Sequence, residues 1–204
     1  MRESEDVEIL ARETCFQGYF RVDRYRLRHR LFDGRWSGEI TREIFERGHA
    51  VGVLPYDPAA DAVVLIEQFR VGALAAGFPN WLTEIVAGVI DEGETPEEVA
   101  RREAKEEAGC EVSELIPICS YLVSPGGTSE SVVLFCGRVS CAGIGGIHGL
   151  PHEDEDIKVT VVPWAEARRL LDAGEIRNAV SLIALQWLAL HRDELRRRWL
   201  QPVD

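Results

Sequence analysis

A mixed β-sheet sandwiched between helices, an α/β (α+β) architecture, is the fold class predicted by the 204-residue sequence. Three features predict it. Apolar runs of strand length occur repeatedly, several of them adjacent along the chain. A sharply capped helix interrupts them, and two further helical stretches close the sequence. Ahead of all of these, an alternation of apolar and polar residues predicts an antiparallel β extension at the N-terminus.

The elements follow in chain order. Residues 16–32 place apolar side chains at Phe20, Val22, Tyr25, Leu27 and Leu31, with one slip in phase, and read as a strand. Asp33-Gly34 is a hairpin signal, and Glu39 to Phe45 is the returning strand. AVGVLPY (50–56) and AVVLIEQF (62–69), joined by a turn at Asp57-Pro58, are a pair of core strands. VGALAAGFPN (71–80) reads as a Gly/Ala-rich loop, and WLTEIVAG (81–88) as one short strand ending at Gly88. Residues 95–108 form a helix. Thr95 is its N-cap, Pro96 occupies N1, Glu98 at N3 completes a capping box, and Gly109 ends it in the left-handed region. Residues 114–123, 131–139 and 157–164 read as strands. WAEARRLLDAG (164–174) is an amphipathic helix closed by Gly174, and a long helix over 178–200 packs on the body. The expected organisation is an N-terminal β extension over 1–47 and a main domain over 48–204.

Charge and composition exclude several classes. A net charge of −12 leaves no basic stripe for a phosphate backbone, so nucleic acid is not an expected partner. No apolar run approaches the ~18 residues that span a bilayer, and MRESEDVEILARE lacks the apolar core of a signal peptide. The 5 cysteines form no C-x-x-C pair and read as reduced thiols. A cytoplasmic protein without a membrane partner is expected. An acidic chain acting on an anion needs divalent cations between the two.

The chemistry concentrates in residues 88–110, GVIDEGETPEEVARREAKEEAGC. Glu103 and Glu107 stand at i and i+4 on one helix face, a placement that costs roughly 0.2–0.5 kcal/mol if nothing lies between them. Glu106 lies on the neighbouring flank, and Arg102 is placed to pair with Glu106 or Glu98. Clustered hard oxygens suit Mg²⁺ or Mn²⁺. A solvated, charged helix face is the alternative reading, but it explains neither the glycines at 88 and 93 nor the spacing.

This segment resembles the Nudix box, G-x5-E-x7-R-E-U-x-E-E-x-G-U with U apolar, at every defined position, from Gly88 through Glu94 and Arg102 to Cys110. The resemblance implies the Nudix fold. It implies Mg²⁺ (or Mn²⁺), two or three ions, on Glu103 and Glu107 with the Ala87 carbonyl, Glu106 as a ligand or its neighbour, and Glu94 and Arg102 as supports. SPGGTSE (124–130), with Pro125 fifteen residues after Cys110, is similar to the bacterial ADP-ribose pyrophosphatase branch. So are TREIFERGHAV (41–51), VVLIEQFR (63–70), GIHGLPHEDEDIKV (146–159) and NAVSLIALQWLALH (178–191).

That branch implies a further metal ligand at Glu155 and a general base at Glu153, both in the acidic loop 152–156, with another loop acid as the alternative base. Tyr19, Arg42, Glu43, Arg70, Ser124 and Glu130 match or lie near substrate-contacting positions. The branch also implies a homodimer that exchanges N-terminal strands. The expected reaction splits ADP-ribose into AMP and ribose 5-phosphate. Alternatives are another substrate, such as GDP-mannose or a diadenosine compound, and a sensor that binds ADP-ribose without cutting it.

Overall fold

The computed structural model describes residues 4–150 and 154–201. The chain divides into two compact units, Met1–His49 with Tyr121–Ser131, and Ala50–Ser120 with Val132–Asp204.

The first unit carries a three-stranded antiparallel sheet of β1 (Val7–Gln17), β2 (Arg21–His29) and β3 (Ile40–Glu46), with β2 central. The slip within 16–32 has a physical cause: Gly18, Tyr19 and Phe20 form a turn there, with the Gly18 N–H on the Phe20 carbonyl at 2.8 Å. What reads as a single strand is therefore the end of β1, a turn and β2. Most of β1 escapes sequence reading because it buries no face, and Val7, Ile9 and Phe16 all stay exposed. The Asp33-Gly34 turn joins β2 to β3 as expected, with Gly34 at φ 86°. Asp23 of β2 is the sheet's buried charge. It accepts from Arg12 Nη2 at 2.6 Å, from Thr14 Oγ1 at 2.8 Å and from Arg21 Nε at 3.1 Å, so its desolvation is fully compensated.

The second unit is built on a mixed sheet. Its strands are β4 (His49–Asp57), β5 (Ala62–Phe69), β6 (Trp81–Glu84), β7 (Val86–Ile90), β8 (Glu114–Leu122), β9 (Ser131–Arg138), β10 (Gly146–His148) and β11 (Ile157–Pro163). The path runs β10-β11-β5-β4-β9-β8, with β6 added to β5 and β7 to β4. The β4–β9 pair is parallel; β4–β5, β5–β11 and β5–β6 are antiparallel. Four helices join them: α1 (Val71–Ala75), α2 (Pro96–Ala108), α3 (Trp164–Asp172) and α4 (Ala179–Leu200).

Period-2 alternation along β4 shows the layering. Val51 and Val53 pack with the α2 stripe Val99, Ala100, Ala104 and Ala108. On the other face, a Cβ at Gly52 would meet Val180 of α4 at 2.8 Å, and Tyr56 lies 6.3 Å, ring to ring, from Trp199 of α4. The sheet therefore sits between α2 and α4, in the sandwich expected. Among the described residues, no helix is long and apolar enough to cross a membrane.

Two local expectations are corrected. The stretch 71–80 is not all loop: α1 forms over Val71–Ala75, where Ala and Leu favour it, and Gly77 at φ 74° follows it. The strand over 81–88 is two strands. The chain changes partner at Ile85, so β6 completes the β5 edge while β7 lies on β4 and runs past Gly88 to Ile90. Ser181 Oγ accepts from the Ile85 N–H at 2.8 Å and Asn178 Nδ2 donates to the Thr83 carbonyl at 3.0 Å, so the N-terminal turn of α4 pins this break.

Candidate active site

The α2 helix starts where its sequence says it should. Thr95 Oγ1 accepts from the Glu98 N–H at 3.3 Å, and the Glu98 carboxylate accepts from the Thr95 N–H at 3.0 Å. The helix ends on Gly109 at φ 64°. Its buried Ala100–Ala104–Ala108 stripe carries Glu103 and Glu107 with it, since each lies one residue before a buried alanine. Glu107 is only 5% exposed and accepts from the Ala87 N–H at 3.2 Å. Burial pushes its carboxyl up to about 8, the Ala87 N–H pulls it down, and Glu103 and Glu155 push it further up.

Glu103 lies against the backbone of β7. A Cβ on Gly88 would stand 2.3 Å from Glu103 Oε1, so any side chain there would have to push the Glu103 carboxylate out of its place. Burial raises Glu103 to about 7; Arg102 opposes the rise, while Glu106 and Glu155 add to it. Arg102 links the box acids. Its Nη1 reaches Glu103 at 2.8 Å and Glu106 at 3.5 Å, and Nη2 reaches Glu94 at 3.2 Å. Glu98, the other partner expected for Arg102, is engaged in the capping box instead. Glu106 is half-exposed on the flank of the helix.

Glu155 reaches the same neighbourhood from the far side of the sequence. After β10 the chain turns at Gly149, φ +103°, and the Leu150 N–H donates to Glu155 Oε2 at 3.2 Å while the Glu155 N–H returns to the Leu150 carbonyl at 3.4 Å. A Cβ on Gly149 would lie 2.8 Å from the Glu155 carbonyl oxygen. The expected general base, Glu153, lies outside the described residues.

Among the described residues, no three acids, histidines or cysteines stand in a ready-made ligating arrangement for a metal ion. The donor set nevertheless fits a hard divalent cation. Glu103, Glu107 and Glu155 are carboxylates that repel one another, two of them buried enough to hold protons near neutrality. Such a set is stabilised by a cation that takes a few carboxylates and completes its shell with water and phosphate.

The remaining expected residues divide between the units. In the first, Tyr19 is 93% exposed with its edge on Phe20, and Arg42 donates to the Thr41 carbonyl at 2.7 Å. Glu43 there pairs with Arg24 at 3.0 Å, Ser124 is exposed, and Glu130 is buried with Arg47 at 3.4 Å. Arg70 belongs to the second unit, and its charge bears on Glu107. Sequence reading missed three features: the buried carboxylate of Glu84, which holds Arg70; the Leu150 N–H, which holds Glu155; and the Asn178–Ser181 clamp. The Asn-x-x-Ser start of α4 is a cap signal that pointed at the last of these.

The chain also has relatives among known proteins. A family model described as the NUDIX domain matches residues 46–185. The chain is 54% identical to the ADP-ribose pyrophosphatase of Escherichia coli (strain K12), covering 95% of this chain and 93% of that one. It is 44% identical to the ADP-ribose pyrophosphatase of Haemophilus influenzae, covering 96% and 91%. A GDP-mannose pyrophosphatase of Enterobacter sp. (strain 638) is 35% identical over 90% of this chain and 95% of its own. A solved structure described as an ADP compounds hydrolase shares the fold, with a TM-score of 0.71, 22% identity, and coverage of 96% of this chain and 100% of that one.

Proposed function

The chain belongs to the Nudix hydrolase family, and we propose that its reaction is hydrolysis of the diphosphate bond of ADP-ribose, giving AMP and ribose 5-phosphate. The observation that carries this reading is the set of Glu103, Glu107 and Glu155, in which Glu107 is buried, Glu103 is nearly so, and both are raised by burial and by the charge of Glu155. It lies in a chain similar over nearly its whole length to ADP-ribose pyrophosphatases.

Glu103, Glu107, Glu155 and the Ala87 carbonyl would hold Mg²⁺ or Mn²⁺, two or three ions, with Glu106 as a further ligand or a neighbour. Bound there, divalent cations neutralise the diphosphate and lower the pKa of the attacking water. Arg102 orients Glu103 through its 2.8 Å contact, and the Ala87 N–H orients Glu107. The Leu150 N–H fixes one Glu155 oxygen and leaves the other for the cation. Glu153 is the candidate acceptor of the water's proton. Arg70 binds a diphosphate oxygen, and Tyr19, Arg42, Glu43, Ser124 and Glu130 are the candidate contacts to the rest of the nucleotide, by the branch resemblance.

We extend the proposal to a cytoplasmic homodimer in which residues 1–47 serve dimerisation and 48–204 form the hydrolase domain. The 35% identity to a GDP-mannose pyrophosphatase supports a second reading, a different nucleoside-diphosphate sugar as preferred substrate.

The test is incubation with ADP-ribose, GDP-mannose and a diadenosine compound, each with Mg²⁺ in ¹⁸O water, followed by chromatography and mass analysis of the products. ADP-ribose turnover well above that of the others supports the proposal, and the label in AMP or ribose phosphate identifies the phosphorus attacked. Binding without turnover in every metal condition would reduce the protein to a sensor.

A further inference from the structure

A carboxylate that no motif assigns lies beside the cluster. Glu84, the last residue of β6, has a side chain only 8% exposed. Buried acids are retained at a cost of several kcal/mol unless paired, and Glu84 is paired with unusual economy. Arg70 Nε at 2.9 Å and Gln68 Nε2 at 3.4 Å donate to one oxygen, Oε2, and Arg70 Nη2 lies 2.8 Å from that same oxygen as its ion-pair partner. The antiparallel β5–β6 register, with Ile66 opposite Glu84 and Gln68 opposite Leu82, brings the three together.

The backbone is held on both sides. The Arg70 N–H donates to the Asn80 carbonyl at 2.7 Å, and Thr83 and Ile85 are bonded to Asn178 and Ser181. The Nη1 end of Arg70 has no hydrogen-bond partner among the described residues, and the side chain remains 43% exposed. The guanidinium is thus gripped along one edge and presents the other. Three residues after Glu84 comes Ala87, whose N–H meets Glu107, so the gripped cation and the buried box acid share one short backbone segment.

We propose that Glu84, steadied by Gln68, is a positioning residue that holds the Arg70 guanidinium in a preset orientation, so that its remaining edge receives the diphosphate of the substrate. This deepens the proposed function and rests on it for the identity of the anion. A flexible arginine would reach the same phosphate only after losing side-chain freedom on binding. A clamped fork meets that cost during folding.

The test uses the full chain with Mg²⁺ and four variants: Arg70→Ala, Arg70→Lys, Glu84→Gln and the Arg70→Ala/Glu84→Gln double. KM and kcat for ADP-ribose and the affinity for inorganic pyrophosphate by calorimetry are measured for each. Glu84→Gln should raise KM about 10-fold with kcat changed less than about 3-fold, the split expected when ground-state positioning is lost. The double variant should be no worse than Arg70→Ala, because Glu84 acts through Arg70. Arg70→Lys keeps the charge but not the two-edged fork, and should also lose about 10-fold in pyrophosphate affinity.

An effect of Glu84→Gln that persists undiminished in the Arg70→Ala background would overturn the proposal. If Glu84→Gln fails to fold, Arg70→Lys still decides: wild-type KM and pyrophosphate affinity there would dispose of the clamp. Should the wild type leave ADP-ribose intact while Glu84→Gln and Arg70→Lys weaken pyrophosphate binding, the substrate assignment fails and the clamp stands.

Discussion

Glu107 is held at about 8 in the folded protein against an ordinary value of 4.5, chiefly by burial. In the unfolded chain it gives up its proton near its ordinary value; in the metal-free folded protein it keeps that proton until near 8. Across this window the native state binds more protons, so its stability falls as pH rises, and the fall ends once pH passes the folded value. At pH 7 the penalty spans about 2.5 pH units at 1.36 kcal/mol each, or about 3 kcal/mol. Glu107→Gln removes it, while the amide oxygen still accepts the Ala87 N–H.

Thermal unfolding in EDTA at intervals from pH 5 to 8.5 reads this directly. Over that range the wild type loses about 4 kcal/mol relative to the variant, so its melting temperature should drop by roughly 8–15 °C, at ~2–4 °C per kcal/mol for a chain of this size. Adding Mg²⁺ should abolish the wild-type drop and leave the variant nearly unmoved, because the cation favours the ionised carboxylate. Hydrolysis by the variant should be lost although it is folded. Parallel melting curves across the pH range, or equal Mg²⁺ stabilisation of both proteins, would refute the argument that this carboxylate is buried among like charges to receive a cation.

Other consequences are as direct. Gly88→Ala inserts a Cβ 2.3 Å from Glu103 Oε1 and should cut kcat/KM at least ~10-fold while raising the Mg²⁺ concentration needed for half-maximal rate, as a metal titration of activity would show. Gly149→Ala forces a left-handed backbone and a 2.8 Å approach on Glu155; Mg²⁺ affinity by calorimetry should fall several-fold with little change in far-UV circular dichroism. Asp61→Asn tolerates the positive φ at that turn but discharges the group that Arg192 and Tyr56 contact, so urea unfolding should show a loss of ~1.5–3 kcal/mol with KM unchanged. Thr95→Ala removes the capping box of α2 and should cost about 1 kcal/mol in the same assay.

Much of the site could be read one residue after another because its determinants are local. The capping box, the i, i+4 acids and the closing Gly109 lie within one helix and its flanks, and helix geometry alone converts their spacing into a shared face. The β4 and β5 runs were legible for a similar reason: a strand buried on both faces is apolar without interruption. Local pattern failed where no burial imprinted one. β1 leaves its large apolar residues exposed and shows no alternation, and the break at Ile85 carries no turn residue, because it is enforced by hydrogen bonds from α4 nearly 100 positions later.

Which acids act together was likewise beyond reach of spacing. The charge of Glu155 bears on Glu103 and Glu107 only because β10 and β11 return the chain toward them, and residue identity alone does not distinguish Glu84, buried on Arg70, from any exposed glutamate. Spacing along a helix is set by covalent geometry and so travels with the sequence. Desolvation and repulsion between distant carboxylates depend on what packs around them, and they come into being only when the chain has folded.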